Sequence, residues 1–157
     1  MNYLKQTFHS TRRLIAKYWL NLHKNTKIIA VTGSFGKTST STAIRLVLSE
    51  KFKTLQTDLN LDTIYNVPIT SLRLTNHQYI VFELGVDHPG EMDTHLEIVR
   101  PDLAVLTGIS PVHSDEEHLG SLERVIREKG KLLKVLTTKQ IAVVNYDDEN
   151  TRKMAKT

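Results

Sequence analysis

The 157-residue chain contains no cysteine, and no apolar run approaches the ~20 residues that a membrane-spanning helix needs. The absence of cysteine excludes a disulfide framework and any thiolate metal site. The N-terminus also lacks the continuous apolar block of a signal peptide. These absences predict a soluble protein of a reducing, cytoplasmic compartment. With 39% hydrophobic and 24% charged residues, the chain can form a globular domain with a real core.

Acidic residues are missing from the first 49 positions, which hold eight lysines and arginines, whereas the other 13 bases and 17 acids give a net charge of −4. The basic half suits a polyanionic ligand, and a solvated basic helix ahead of an acidic domain is the plainer explanation. Within residues 1–26, a basic N-terminal segment and linker, we predict an amphipathic helix over residues 3–24. Its apolar stripe consists of Leu4, Phe8, Ile15, Trp19 and Leu22. Packing on this domain, another domain or a subunit would cover the stripe, and contact with an anionic membrane surface is the less favoured alternative.

From residue 27 onward, strand-like apolar stretches alternate with helical patterns. We predict strands over residues 27–31, 54–57, 79–84, 103–107 and 141–144, and helices over residues 37–50, 91–99 and 121–136. This alternation predicts an α/β domain over residues 27–157, with three layers in which helices cover both faces of a mainly parallel sheet. Ligands of such sheets bind where strands end at their carboxyl side, so polar residues after each strand are candidate site residues.

The segment between the first strand and the next helix reads TGSFGKT over residues 32–38. Glycines in such a loop let backbone N–H groups face a phosphate, and the helix N-terminus adds partial positive charge. Lys37 would reach the terminal phosphates, and the hydroxyl of Thr38 would bind Mg²⁺. We therefore predict a Mg-nucleotide site, for ATP, formed by Thr32, Gly33, Ser34, Phe35, Gly36, Lys37, Thr38 and Ser39. A glycine-rich turn that only joins strand to helix is the alternative.

This loop and several later segments resemble the Mur ligases, the ATP-dependent amide-forming enzymes of peptidoglycan precursor synthesis. Val31 stands where the commoner phosphate loop has its first glycine, which matches the TGxxGKT form of that family. The other matching segments are residues 57–60 with 66–68, 82–92, 100–109 with His113, 119–121 with Lys129, and 144–148. The resemblance implies the P-loop-containing central-domain fold of Mur ligases, shortened at its C-terminus. Residues 88–91 and 120–121 are most similar to members that add D-alanyl-D-alanine to UDP-N-acetylmuramoyl-tripeptide.

The resemblance also implies roles for single residues. Thr38, Glu83, His113 and Lys129 would serve two Mg²⁺ ions, with Lys129 carbamylated, and Lys37, His113 and Lys129 would be the catalytic groups. Asn60 would belong to the nucleotide site, and Asn145 and Asp148 would lie on its adenine side. Plainer alternatives are a salt-bridged Glu83, a surface His113, an Asn-Asp turn at residues 145–148, and a Lys129 that snorkels to solvent. Lys129 nevertheless shares a helical stripe with Val125, Leu132 and Leu136, which predicts an amine on a core-facing surface.

The implied reaction activates a carboxylate of UDP-N-acetylmuramoyl-peptide as an acyl phosphate, which the amine of D-alanyl-D-alanine then attacks. It would serve peptidoglycan synthesis, and thereby cell-wall biogenesis and cell shape. Because family members carry flanking domains for the UDP-sugar and the amine, we expect this chain alone to bind nucleotide without efficient ligation and to depend on those domains or a partner chain. No nucleic acid is expected as a partner. The alternatives are a stand-alone regulatory or assembly P-loop NTPase and a nucleotide-binding partner module.

Overall fold

The computed structural model describes residues 2–58, 63–111 and 119–156. Helices and strands alternate along these residues, as the hydrophobic pattern predicts. The elements in chain order are α1 (Asn2–Leu22), β1 (Lys27–Thr32), α2 (Lys37–Ser49), β2 (Thr54–Gln56), α3 (Thr63–Leu72), β3 (Tyr79–Glu83), α4 (Glu91–Leu96), β4 (Leu103–Leu106), α5 (Leu122–Lys134), β5 (Ile141–Val144) and α6 (Glu149–Met154).

The five strands form one parallel sheet in the order β2-β3-β1-β4-β5. The central strand β1 pairs Lys27 with Tyr79 of β3 and Ile29 with Leu103 of β4. Helix α2 lies on one face of the sheet, and α1, α3, α4 and α5 lie on the other. The predicted three-layer α/β fold is therefore confirmed, and the nearly continuous apolar runs of β1 and β3 follow from the helices on both faces.

Alternate side chains of β1 pack in two separate hydrophobic cores, one on each face of the sheet. Ala30 packs with Phe82 in the larger core, beneath α1, α3, α4 and α5. Ile29 and Val31 face α2 in the smaller core, where Ile44 packs against them. Full burial of each large side chain contributes roughly 1.5–3 kcal/mol, so both cores hold β1 and the loop that follows it in one position.

Helix α1 packs on the domain through Ala16, Trp19 and Leu20. Ala16 and Leu20 are buried, and the half-buried Trp19 donates from Nε1 to the carbonyl oxygen of Leu74 at 2.9 Å. The small side chain of Ala16 permits the close approach of α1 to the helices beneath it. This contact fixes which side of α1 faces outward.

The predicted apolar stripe of α1 is mostly on that outward side. Phe8, Ile15 and Leu22 are 64%, 51% and 75% exposed, while Trp19 lies at the edge of the packed face. This domain therefore does not cover these three residues, cover by another domain or a subunit stays a prediction, and Leu4 lies outside the described side chains. None of the helices that the structure describes is long and apolar enough to cross a membrane.

Two helices, α3 and α6, were not predicted from the sequence. Helix α3 contains Pro68, which normally ends or bends a helix because it has no N–H group. The helix nevertheless continues past Pro68, where Val67 is completely buried and the hydroxyl of Ser71 donates to the carbonyl oxygen of Val67 at 2.7 Å. Helix α6 is only six residues long and begins at a side-chain cap from Asp148. Such short helices leave little periodicity in the sequence.

Candidate functional site

The predicted phosphate loop leaves β1 at the centre of the sheet and leads directly into α2. Gly33 has φ 152°, and a Cβ atom there would stand 2.1 Å from Oγ1 of Thr107, so only glycine fits. Gly36, with φ 75°, precedes α2 without a side-chain cap. The N–H groups of the first turn of α2 therefore keep their capacity to bind an anion, and the positive end of the helix dipole favours one.

Contacts with the end of β4 hold this loop in place. Ser34 donates from its backbone N–H to the carbonyl oxygen of Gly108 at 2.7 Å and from its hydroxyl to that of Ser110 at 3.1 Å. The hydroxyl of Thr107 donates to the carbonyl oxygen of Phe35. The Phe35 ring, half of which is exposed, lies against Gly108. The loop and the strand end beside it thus form one unit.

Thr32 and Ser39, at the two ends of the predicted site, have different surroundings. The buried hydroxyl of Thr32 donates to the carbonyl oxygen of Leu84 at 2.7 Å, which joins the ends of β1 and β3. Ser39 is exposed in the first turn of α2. Of these two side chains, that of Thr32 serves to fix the strand ends, and that of Ser39 can reach a ligand.

A carboxylate faces the phosphate loop from the neighbouring strand. Glu83 ends β3, and its Oε1 accepts a hydrogen bond from Oγ1 of Thr38 at 3.0 Å, while its Oε2 lies 3.4 Å from Oγ of Ser41. A carboxylate and a hydroxyl oxygen side by side are hard ligands of the kind that Mg²⁺ prefers. The half-buried Lys37 begins the same helix. The predicted pair of Thr38 and Glu83 therefore fits a Mg²⁺ ion bound together with nucleotide phosphates.

Lys129 on α5 is only 2% exposed, so it does not snorkel to solvent. Its Nζ donates to the carbonyl oxygen of Val86 at 3.0 Å. Burial, and then the positive charge of nearby Lys37, lower the pKa of Lys129 to about 8, although Asp87 and other carboxylates oppose the change. Roughly a tenth of such an amine is neutral at pH 7, and only the neutral amine can react with CO₂. The core-facing stripe predicted around Lys129 is confirmed.

Sequence reasoning missed Glu128, a buried carboxylate beside Lys129. Its Oε1 accepts hydrogen bonds from the backbone N–H groups of Gly90 at 2.9 Å and Met92 at 3.2 Å, and its Oε2 pairs with Lys131 at 2.6 Å. Glu128 thereby ties α5 to the loop that follows β3. The spacing of Val125, Glu128 and Lys129 on one helical face was a signal that could have identified it.

Asn145 and Asp148 follow β5 at the same edge of the sheet. Oδ1 of Asn145 accepts from the N–H of Asp147, and Oδ1 of Asp148 accepts from the N–H of Thr151 at 2.7 Å to cap α6. Oδ2 of Asp148 also lies 3.4 Å from the backbone nitrogen of Ile109. These contacts are those of an Asn-Asp turn and a helix cap, and an adenine-side role for the two residues stays a prediction.

His113 and Asn60, both predicted site residues, lie outside the described residues. Among the residues that the structure does describe, no group of three or more His, Asp and Glu side chains could hold a metal ion by itself. The structure brings Thr38 and Glu83 together, with Lys37 next to Thr38 in the first turn of α2. The positive charge of Lys37 also contributes to the lowered pKa of Lys129.

Comparison with known proteins agrees with this geometry. The family model of the Mur ligase middle domain matches residues 31–157. The chain is 35% identical over 133 residues to the UDP-N-acetylmuramoyl-tripeptide--D-alanyl-D-alanine ligase of Escherichia coli (strain K12), covering 84% of this chain and 29% of that protein. It is 39% identical over 108 residues to the ligase of that name from Borreliella burgdorferi, covering 68% and 23%. The chain thus spans less than a third of the length of these relatives.

Solved structures of ligases from the same family also match this chain. A MurF ligase from Thermotoga maritima in complex with ADP matches with a TM-score of 0.84 and 29% identity, covering 92% of this chain and 34% of that one. MurF from Acinetobacter baumannii matches with a TM-score of 0.87 and 32% identity, covering 94% and 32%. The resemblance that the TGxxGKT loop and the later segments predict is confirmed: the chain belongs to the Mur ligase family and contains its middle domain.

Proposed function

We propose that this chain is the Mg-ATP-binding part of a ligase that joins D-alanyl-D-alanine to UDP-N-acetylmuramoyl-tripeptide. The observation that carries the proposal is the contact between Thr38 and Glu83 at an uncapped helix N-terminus that begins with Lys37. The names of the related ligases support the substrates, and the ADP complex of a structural relative supports an adenine nucleotide. Family membership favours this function over a stand-alone regulatory NTPase.

Nucleotide binding would begin at the phosphate loop. The N–H groups in the first turn of α2 would bind the phosphate oxygens, and Lys37 would neutralise part of the charge on the terminal phosphates. Thr38 and Glu83 would hold Mg²⁺, which when bound would offset the negative charge of the phosphates. The rigid attachment of the loop to the end of β4 means that these donors need little rearrangement when the ligand binds.

Lys129 would act after carbamylation. Its neutral amine nitrogen bonds to the carbon of CO₂, one amine proton leaves to solvent, and the product is an anionic carbamate. The conversion replaces a buried cation beside Lys37 by an anion, which removes a repulsion and creates oxygen ligands for a second Mg²⁺. We place His113 in the same metal site on the basis of the family resemblance.

In the proposed reaction, a carboxylate oxygen of the muramoyl peptide attacks the γ-phosphorus of ATP, and ADP leaves. The amine of D-alanyl-D-alanine then attacks the carbonyl carbon of the acyl phosphate, loses a proton and displaces phosphate. Lys37 and the helical N–H groups stabilise the charge on the transferred phosphoryl group and keep it in line with the attacking oxygen. Asn145 and Asp148 would hold the base end of the nucleotide at the far side of β4.

Isothermal titration calorimetry with ATP and MgCl₂ tests the nucleotide site. Lys37→Ala should weaken binding on the order of 100-fold, because charge-assisted hydrogen bonds to phosphate contribute about 1.5–3 kcal/mol each. Lys51→Ala, an exposed lysine just beyond the other end of α2, is the matched control and should leave the affinity unchanged. Equal affinity of Lys37→Ala and the parent chain would refute the site, and equal competition by GTP would favour the NTPase alternative.

The substrate assignment needs a separate measurement. Phosphate release from ATP should depend on UDP-N-acetylmuramoyl-tripeptide and D-alanyl-D-alanine together, with the remaining Mur ligase domains present. UDP-N-acetylmuramoylalanine with D-glutamate is the matched control, because a ligase with that name is also 32% identical to this chain over 139 residues. Faster release with D-glutamate would contradict the proposed acceptor while leaving the nucleotide site intact.

A further inference from the structure

Two hydroxyl groups of α2 face the two oxygens of Glu83. Thr38 lies 3.0 Å from Oε1, and Ser41, one turn further along the helix, lies 3.4 Å from Oε2. Ser41 is completely buried, and its hydroxyl is also 3.1 Å from the carbonyl oxygen of Thr38. The backbone N–H of Glu83 donates to the hydroxyl of Thr57 at 2.9 Å. The backbone at Glu83 is therefore fixed, and the remaining freedom lies in its side chain.

Gln56, at the end of β2, contacts the Ser41 hydroxyl. Its Nε2 donates to Oγ of Ser41 at 3.0 Å and to Oγ1 of Thr42 at 3.3 Å. Because an amide NH₂ group only donates, the oxygen of Ser41 accepts this bond, and its single proton remains available for Oε2 of Glu83 or the carbonyl oxygen of Thr38. With Gln56 as its donor, the Ser41 hydroxyl can donate to either of these oxygens, of which that of Thr38 lies at 3.1 Å and Oε2 of Glu83 at 3.4 Å.

We propose that Ser41, oriented by Gln56, is a positioning residue that holds the carboxylate of Glu83 in place for the Mg²⁺ ion of the nucleotide site. This inference rests on the proposed function, which makes Glu83 a metal ligand. With Oε2 restrained by Ser41, Oε1 stays beside Thr38, where a cation can contact both oxygens. A restrained carboxylate loses less side-chain freedom when the ion binds.

A purely structural role for Ser41 makes a different prediction. Serine within a helix commonly donates to a carbonyl oxygen one turn earlier, and Ser41 has such a partner in Thr38. If that bond were the whole role, removal of the hydroxyl would change stability and leave the metal dependence of nucleotide binding unaltered. The metal dependence, measured separately from nucleotide affinity, therefore separates the two roles.

The test measures binding of the fluorescent nucleotide mant-ADP by the whole chain, first in EDTA and then across a MgCl₂ titration. Ser41→Ala should raise the MgCl₂ concentration for half-maximal enhancement roughly three- to tenfold, the effect of one hydrogen bond, with unchanged affinity in EDTA. Thr42→Ala is the matched control, because Thr42 shares the Gln56 partner while the carboxylate of Glu83 faces Thr38 and Ser41 instead, and it should stay within about twofold of the parent. Gln56→Met, which keeps the side-chain length but removes the donor, should shift the titration in the same direction as Ser41→Ala.

Glu83→Gln separates failure of the inference from failure of the proposed function. If it leaves the MgCl₂ enhancement intact, the proposed metal site is wrong. If Glu83→Gln removes the enhancement, the result for Ser41→Ala decides the positioning role. That role is overturned if the MgCl₂ midpoint of Ser41→Ala stays within twofold of the parent, or if Ser41→Ala weakens nucleotide binding equally in EDTA and in MgCl₂. Circular dichroism checks each variant for folding, and if Ser41→Ala does not fold, the shift or lack of shift in Gln56→Met decides the question.

Discussion

The buried amine of Lys129 should destabilise the domain at neutral pH, and its replacement by methionine tests this directly. Methionine keeps most of the length and the apolar stem of lysine but has no charge to desolvate. Because burial and Lys37 lower the pKa of Lys129 from 10.5 to about 8, the folded state binds the proton more weakly than the unfolded state. Lys129→Met removes that penalty.

The size of the effect follows from the shift. A difference of about 2.5 pKa units corresponds to about 3 kcal/mol of destabilisation at pH 7. Methionine also loses the hydrogen bond to the carbonyl oxygen of Val86, which lowers the stability of the variant by about 1 kcal/mol. The net expectation is that Lys129→Met is more stable than the parent by about 2 kcal/mol at pH 7. Between pH 8 and pH 10.5, Lys129 is mostly protonated in the unfolded state and mostly neutral in the folded state. The free energy of unfolding of the parent therefore rises over that range, and the stability advantage of Lys129→Met disappears.

Urea unfolding at pH 7 and pH 9.5, in buffer freed of CO₂, measures both quantities. The absence of CO₂ keeps Lys129 unmodified. Lys134→Met, an exposed lysine at the end of the same helix, is the matched control and should change stability by no more than about 0.5 kcal/mol. A Lys129→Met variant that is less stable than the parent at pH 7, or a difference that does not vary with pH, would refute the reasoning.

Three further outcomes are expected. Gly108→Ala should destabilise the domain by about 1 kcal/mol in urea unfolding, because a Cβ atom would stand 2.2 Å from the half-exposed Phe35 ring and the ring would have to move. The cost should fall in a Phe35→Ala background, and equal costs in both backgrounds would contradict the contact. Asp148→Ala should lower the free energy of unfolding by about 1 kcal/mol, because it removes the side-chain cap of α6. Asp147→Ala, at an exposed position, is the control and should change it little; equal effects of the two variants would contradict the capping role. With ¹³C-bicarbonate, the parent chain should give a carbamate NMR signal that Lys129→Met lacks; persistence of the signal in the variant would place the modification elsewhere.

The strand order was harder to predict than the strands. The apolar runs of β1, β3 and β4 and the TGSFGKT segment identify a parallel sheet with a phosphate loop, because local periodicity and turn chemistry suffice for both. The contact between Gln56 and Ser41 depends on β2 lying beside β3 and under α2. Nothing in the local sequence specifies that neighbourhood, so the residues that surround Glu83 could not be identified in advance.

Hydrophobicity alone did not specify which side of α1 packs on this domain. Phe8, Ile15 and Leu22 of the apolar stripe are exposed, whereas Trp19 of the same stripe packs on the core beside Ala16 and Leu20. In contrast, Lys129 was found because an amine on an otherwise apolar face is conspicuous in the sequence. Its lowered pKa was not predictable, since it depends on the depth of burial and on the position of Lys37.

The most direct test of the nucleotide site is a titration of the ¹⁵N-labelled chain with Mg-ATP, followed residue by residue in NMR spectra. The largest shifts should fall on the amides of Gly33, Gly36, Lys37 and Thr38 and on Glu83 across the loop. Shifts centred on the groove between α5, β5 and α6, or saturation without change at Gly33 to Thr38, would contradict the account.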